Sequence, residues 1–168
     1  MEYASLLLLH IVFGILWAGG AIAVGLFVIP SVFEAGPAAG PVMAGILKRR
    51  FPILMTVSGA VVVLTGLRLY SLLVSGAWIA TPQGIVLSLG ALAGLGAFVV
   101  GLFVQKPTAE KLGALGAQIA AAGKPPTPEQ VAEMQTLRTR LAKVAKVTAW
   151  HLIVASVLMA SHRLAAMM

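Results

Sequence analysis

Tyr3 to Phe33 reads YASLLLLHIVFGILWAGGAIAVGLFVIPSVF, 31 residues without a Lys, Arg, Asp or Glu. A helix that crosses the hydrocarbon of a bilayer needs about 20 mostly apolar residues. This stretch therefore decides the fold, and it predicts a membrane-spanning helix over about 3–30. Glu2 stands where a cleaved leader would carry a base, and the apolar run is too long for a leader, so the helix reads as retained. Three more stretches repeat the pattern. Residues 51–67 are uncharged, and Arg68 interrupts an apolar run that continues to Ser75, which predicts a second span over 51–75. Ser75-Gly76-Ala77-Trp78 and Thr81-Pro82-Gln83 form a turn cluster, because Gly and Pro end one helix and open the next. The third span is expected over 83–105, stopping before Lys106-Pro107, and the fourth over 146–168. Val147 to His162 is the uncharged core of the fourth, so Arg163 is expected to snorkel to the interface.

Composition agrees with this reading. Of 168 residues, 60% are hydrophobic and 10% charged, against roughly 45–50% and 25% in soluble domains. Mean hydropathy is +0.99. These values exclude a water-soluble globule and a disordered chain. Without Cys there are no disulfides, iron–sulfur clusters, zinc-thiolate sites or covalently attached c-type haem. Asp is absent, and the five acidic residues are all Glu, which excludes EF-hand loops and paired-carboxylate chemistry. The net charge of +7 does not point to nucleic acid, because the basic residues border apolar spans.

Ten of the 12 basic residues lie in two connections. Lys48, Arg49 and Arg50 follow the first span; Lys106, Lys111, Lys124, Arg138, Arg140, Lys143 and Lys146 separate the third from the fourth. The positive-inside rule puts both connections in the cytoplasm and both termini outside. The expected fold class is all-α: one domain over 1–168, an integral membrane four-helix up-down-up-down bundle. Its expected location is a bacterial-type inner (plasma) membrane, and its first partner is the lipid bilayer.

The last connection has a pattern of its own. Thr127-Pro128-Glu129-Gln130 reads as an N-cap with Pro at the first helical position. Val131, Met134, Leu137, Leu141 and Val144 follow at helical spacing, and Leu112, Leu115, Ile119 and Ala122 precede it. Two apolar seams around Gly123-Lys124-Pro125-Pro126 predict a cytoplasmic helical hairpin over about 107–145. The alternative is a pair of amphipathic helices lying on the membrane surface.

Titratable side chains inside spans are costly and point to function. His10, Arg68 and His162 each fall roughly 9–10 Å in from the outer end of their helix, at 1.5 Å per residue. The pattern therefore expects them at one level on three helices. His10, Gly14, Trp17, Ala21 and Gly25 share one face of the first span, with small residues leaving room for a flat ring. His151, Ala155, Leu158 and His162 share a face of the fourth. Two neutral imidazoles across a dry bundle suit haem b, with His10 and His162 as ligands and Arg68 and Arg163 as cations for its propionates. A competing reading is copper, held by His10, His162 and Met159 as soft and borderline donors, with Met167 and Met168 nearby. His151, beside Trp150, is open as a second metal or haem ligand, a proton relay or a structural group. A lone intramembrane His is also often just hydrogen-bonded to a backbone carbonyl or a Ser on a neighbouring helix. Gly90-Ala-Leu-Ala-Gly94 is a small-xxx-small motif, read as an internal packing face or a homodimer face.

The run Leu9-His10-Ile-Val-Phe-Gly-Ile-Leu-Trp17-Ala-Gly19-Gly20, with the later Pro30, resembles the opening of the copper-resistance D (CopD-like) family. Lys48-Arg49-Arg50-Phe51 leading to Thr65-Gly66-Leu67-Arg68 is similar to that family's second helix. A more distant likeness is to HemJ-type haem-binding membrane proteins. The resemblance implies a haem b or copper role for His10. The HemJ-type Leu-Pro-Arg is here Ile29-Pro30-Ser31, so a protoporphyrinogen oxidase activity is not carried over. The leading expectation is a membrane b-type cytochrome moving electrons near the outer face, with a redox partner protein or as part of a larger membrane complex. The others are copper binding or transport, and a structural or assembly subunit whose hairpin docks a partner. No nucleophile–base pair or phosphate-binding loop suggests another enzyme; any catalysis would be haem-dependent oxidation or reduction.

Overall fold

The computed structural model describes residues 1–162, and every regular element among them is helical. Four helices are long and apolar enough to cross a membrane: α1 (Glu2–Ala35), α2 (Phe51–Leu73), α3 (Pro82–Ala122) and α4 (Pro128–Ser161). A helix at Gly40–Lys48 connects α1 to α2, and a single turn at Gly76–Ile79 connects α2 to α3. Arg50 adopts a left-handed conformation (φ 56°) just before α2, and Gly123 does so (φ 58°) just after α3.

Two prolines shape the long helices. α1 continues through Pro30 and α3 through Lys106-Pro107, where the first and third spans were expected to end. A proline ring collides with the carbonyl four residues back, here Leu26 and Phe103. Each of these lies inside a π-helical turn, Val24–Val28 in α1 and Gly101–Gln105 in α3. The wider turn gives the ring room without ending the helix.

The N-terminus of α4 is held by a capping box. Gln130 N–H donates to Thr127 Oγ1 at 3.3 Å, and Thr127 N–H donates to Gln130 Oε1 at 2.9 Å. Glu129 sits in this first turn. Its own backbone N–H and the Thr127 hydroxyl hold its carboxyl below the ordinary value. Beyond the cap, Leu141 of α4 is buried with Ile29 of α1, and Leu112 of α3 packs against them.

The helices pack α1 on α2, α3 on α4 and α1 on α4; α2 and α3 touch sparsely. Glycine sets the closest approaches. A Cβ added at Gly25 would lie 2.6 Å from the Ala145 carbonyl oxygen, so α1 rests on the backbone of α4. One at Gly90 would lie 3.1 Å from Met159 Cγ, so α3 takes α4 into its glycine face. Trp17, Ala97 and Leu152 form the central core, and Trp17 meets Phe98 edge-on with centroids 6.0 Å apart. Both rings lie over Gly59 of α2, so all four helices contribute to this layer.

Candidate functional site

His10 is half-buried and leans on α2. Its Nδ1 lies 3.0 Å from the Val62 carbonyl oxygen and 3.2 Å from Thr65 Oγ1. Thr65 itself donates to the Val61 carbonyl at 2.6 Å. A carbonyl oxygen only accepts, so the bond to Val62 puts a proton on Nδ1, and the neutral ring then has its lone pair on Nε2. Room for the ring comes from Gly66: a Cβ there would lie 2.8 Å from His10 Cε1. On the same face of α1, a Cβ at Gly14 would meet nothing within 4 Å, and Trp17 closes the floor in the core.

The same bonding recurs at the other two histidines. His162 Nδ1 lies 2.6 Å from the Met159 carbonyl, and His151 Nδ1 lies 2.9 Å from the Val147 carbonyl. All three imidazoles therefore spend Nδ1 on a backbone oxygen, so that each neutral ring has its lone pair on Nε2, the form in which imidazole binds a metal.

Their directions differ. Gly25 against Ala145 and Trp17 with Leu152 give α1 and α4 opposed registers. Continuing that register upward brings His10 within about one helical turn of the level of His162. Yet His10 turns toward α2. His162 follows Ala155 and Leu158 at spacings of seven and four, and those two lie against Gly90 of α3. The two histidines thus share a level but flank different interfaces, and no hydrogen bond joins them. Met159 packs its Cγ and Cε against Gly90 and Gly94, so it serves the α3–α4 contact. Gly90 and Gly94 accordingly form an internal packing face. His151 is exposed and stands over Gly96 of α3, where a Cβ would lie 3.6 Å from its Cδ2.

Arg68 already has a partner. Its guanidinium binds Glu2 Oε1 through Nη2 at 2.7 Å and Nε at 2.8 Å, with both side chains more than half exposed. A propionate would have to compete with that carboxylate. Arg163, Met167 and Met168 lie outside the described residues. Among the described residues, no three His, Cys, Asp or Glu side chains converge as a ready metal cluster. Two surface grooves stand out, one at His151 and one at Phe33 and Arg138, and neither is lined by His10 or His162.

Spacing places Ser58 on a polar stripe of α2 with Thr65 and Arg68, but gives no sign of Thr148 or Gln105 as buried polar groups. Ser58 Oγ, Thr148 Oγ1 and Gln105 Oε1 are buried without a hydrogen-bond partner among the described residues. Ser and Thr within helices usually donate to the carbonyl four residues back, as Thr65, Ser88 and Thr108 do here. Ser58 and Thr148 depart from that habit, and nothing in their spacing signals it.

No protein-family model, no curated protein and no solved structure matches this chain.

Proposed function

We propose that this chain is an integral membrane protein, an up-down-up-down bundle with its basic connections in the cytoplasm, that holds haem b through His10 near the outer face and passes electrons there. The likeness to CopD-like proteins rests on the residues of the first two helices. One observation carries the functional reading: His10 Nδ1 is fixed by the Val62 carbonyl of α2, so Nε2 is left as an unprotonated donor. Fixing Nδ1 sets both tautomer and ring orientation and raises the basicity of the ligand nitrogen. Gly66 admits the ring, Gly14 leaves space beside it, and Trp17 separates it from the deeper core. His162 is at a similar level but flanks the α3–α4 interface, so its role as second ligand in this reading requires its side chain to turn toward His10. Bound haem would supply the one-electron chemistry. The chain's part is to present imidazole, exclude water and hold the outer rim through the Glu2–Arg68 pair.

The experiment is the visible spectrum of the detergent-solubilised protein after haem-replete expression. A Soret band that is lost in His10→Ala, and shifted or weakened in His162→Ala, supports the reading. An absent band, or full haem content in His10→Ala, overturns it.

Copper is the second reading, favoured by a different observation. Gly25 brings α1 onto the backbone of α4, and a single ion fits between close helices more readily than a porphyrin does. Copper found by metal analysis without a Soret band, and lost in His10→Ala, would select it. Unaltered function with all three histidines replaced by Ala would leave the histidine–carbonyl bonds as packing and the chain as a structural subunit.

A further inference from the structure

The groove at the end of the bundle away from His10 is lined by Phe33 of α1 and by Gln135, Arg138, Thr139 and Ala142 of α4, and encloses about 310 Å³. Its floor is fixed: Phe33 and Ala142 pack on the buried cluster of Ile29, Leu141 and Ala145. Arg138 is half-buried, and its guanidinium carbon lies 5.8 Å from the centroid of the Phe33 ring. A ring face holds a guanidinium by its plane and leaves its N–H edges free. Among the described residues no carboxylate pairs with Arg138; Glu34, next to Phe33, is exposed and makes no ion pair with it. The rest of the rim is polar as well. Thr136 donates to the Ala132 carbonyl at 2.9 Å. Thr139, three residues on, makes no hydrogen bond of that kind among the described residues, and the Gln135 amide beside it is exposed.

Lys143 and Lys146 follow Thr139 and Ala142 at four residues each, so they carry the same stripe of α4 toward the apolar part of the helix. The groove thus gathers positive charge and N–H and O–H donors, with no acid among its lining residues. We propose that it binds a phosphate group. Two phosphate oxygens meet the free edge of the Arg138 guanidinium, and the others accept from Thr139 Oγ1–H and the Gln135 amide. A carboxylate would fill the guanidinium edge and leave the other two donors unmet. Arg138 stands about 12 Å beyond Lys146 along α4, at 1.5 Å per residue, so the groove faces lipid headgroups on one side and water on the other. The phosphate can therefore belong to a phospholipid or to a soluble compound. Only the lipid source rests on the bilayer reading above; the groove itself is independent of that reading and of any metal.

The test has two arms, both on the full chain in detergent. In one, phosphatidylglycerol and phosphatidylcholine are offered in equal amounts and the retained lipid is counted by native mass spectrometry. In the other, inorganic phosphate is titrated at an ionic strength held constant with chloride, and binding is read from the broadening of its phosphorus resonance. Arg138→Gln should weaken binding roughly ten-fold or more, the loss of a charged hydrogen-bonding partner. Arg138→Lys keeps the charge without the planar fork and should fall between the two. Thr139→Val, which leaves the Phe33 contact intact, should weaken binding by a factor of a few. Arg140→Gln removes the same charge about 200° round the helix and should change nothing. A preference for phosphatidylglycerol with no response to inorganic phosphate assigns the site to a headgroup; the reverse assigns it to a soluble phosphate compound. Either result upholds the phosphate site. No binding in both arms overturns it, as does an equal loss in Arg140→Gln, which would mark diffuse charge. Protein absent from the membrane fraction would refute the bilayer reading, while the phosphate arm would still decide the site.

Discussion

Gly25 lies where α1 comes closest to α4. A Cβ there would stand 2.6 Å from the Ala145 carbonyl oxygen, 3.1 Å from the Ala145 carbonyl carbon and 3.3 Å from Ala149 Cβ. Ordinary carbon–oxygen contact lies near 3.3 Å, so Gly25→Ala must push the helices apart by roughly 0.7 Å or bend one of them. The obstacle is backbone, which no rotamer change can move. Overpacking of this kind costs about 1–3 kcal/mol. Gly14 lies on the same face of α1, three turns nearer the N-terminus, and a Cβ there meets nothing within 4 Å. Gly14→Ala should instead gain up to about 1 kcal/mol from helix propensity. The two alanines should therefore differ by roughly 2–4 kcal/mol. Reversible unfolding by SDS in mixed micelles measures this, followed by the fluorescence of Trp17, which is buried in the same interface. If Gly25→Ala unfolds at the same SDS fraction as Gly14→Ala, the close α1–α4 contact is refuted.

Other perturbations separate satisfied polar groups from unsatisfied ones. Ser58 is fully buried with an unpartnered hydroxyl; Ser58→Ala should hold or raise the SDS midpoint, by about 1 kcal/mol, and a clear fall would mean that the hydroxyl has a partner. Tyr70 and Ser88 are 2.6 Å apart and tie α2 to α3, while Ser88 also donates to the Gly84 carbonyl. Tyr70→Phe should lower stability by about 0.6 kcal/mol, read from the same titration. At the exposed cap of α4, the Glu129 carboxyl is held below its ordinary value of 4.5, chiefly by its own backbone N–H. A depressed folded value means that its contribution is present above pH 4.5 and is lost as pH falls through the lowered value. Carboxyl chemical shifts should place its titration midpoint below 4.5, and the protection of the amides of 129–132, relative to their intrinsic exchange rates, should fall below that midpoint in the natural chain but not in Glu129→Gln.

The long apolar stretches and the cap at Thr127 were legible because each is local: length, the absence of charge, and a Thr three residues before Gln130. Partners were less so. Spacing puts His151, Ala155, Leu158 and His162 on one face, but only packing shows that Ala155 and Leu158 meet α3. The imidazole of His10 is seated by Gly66 on α2, 56 positions away, which no spacing within α1 signals. Arg68 read as a free cation because Glu2, at the far end of another helix, gave no local sign of being its partner. The two π-turns did leave a trace. Trp17, Ala21, Gly25, Ile29 and Phe33 recur every four residues, and Trp17, Gly25 and Ile29 are buried. A regular helix would rotate such a series by about 40° at each step. The series stays inward through the π-turn at Val24–Val28, with Pro30 just beyond it.

That turn makes the reading frame of α1 a determinant of its shape. A π-turn is an α-helix with one residue inserted, so a single-codon deletion within Val24–Val28 would return it to regular winding. Both flanks would keep their facing, and the cost would fall on Pro30, whose ring would again meet the carbonyl four residues back. A single-codon deletion in the regular winding between Trp17 and Val24 would instead swing His10, Gly14 and Trp17 together by about 100° relative to Ile29 and Phe33. The same arithmetic applies to Gly101–Gln105 and the glycines of α3 above it. Loss of one residue should therefore disturb the helix contacts less inside these two five-residue stretches than in the regular winding beside them.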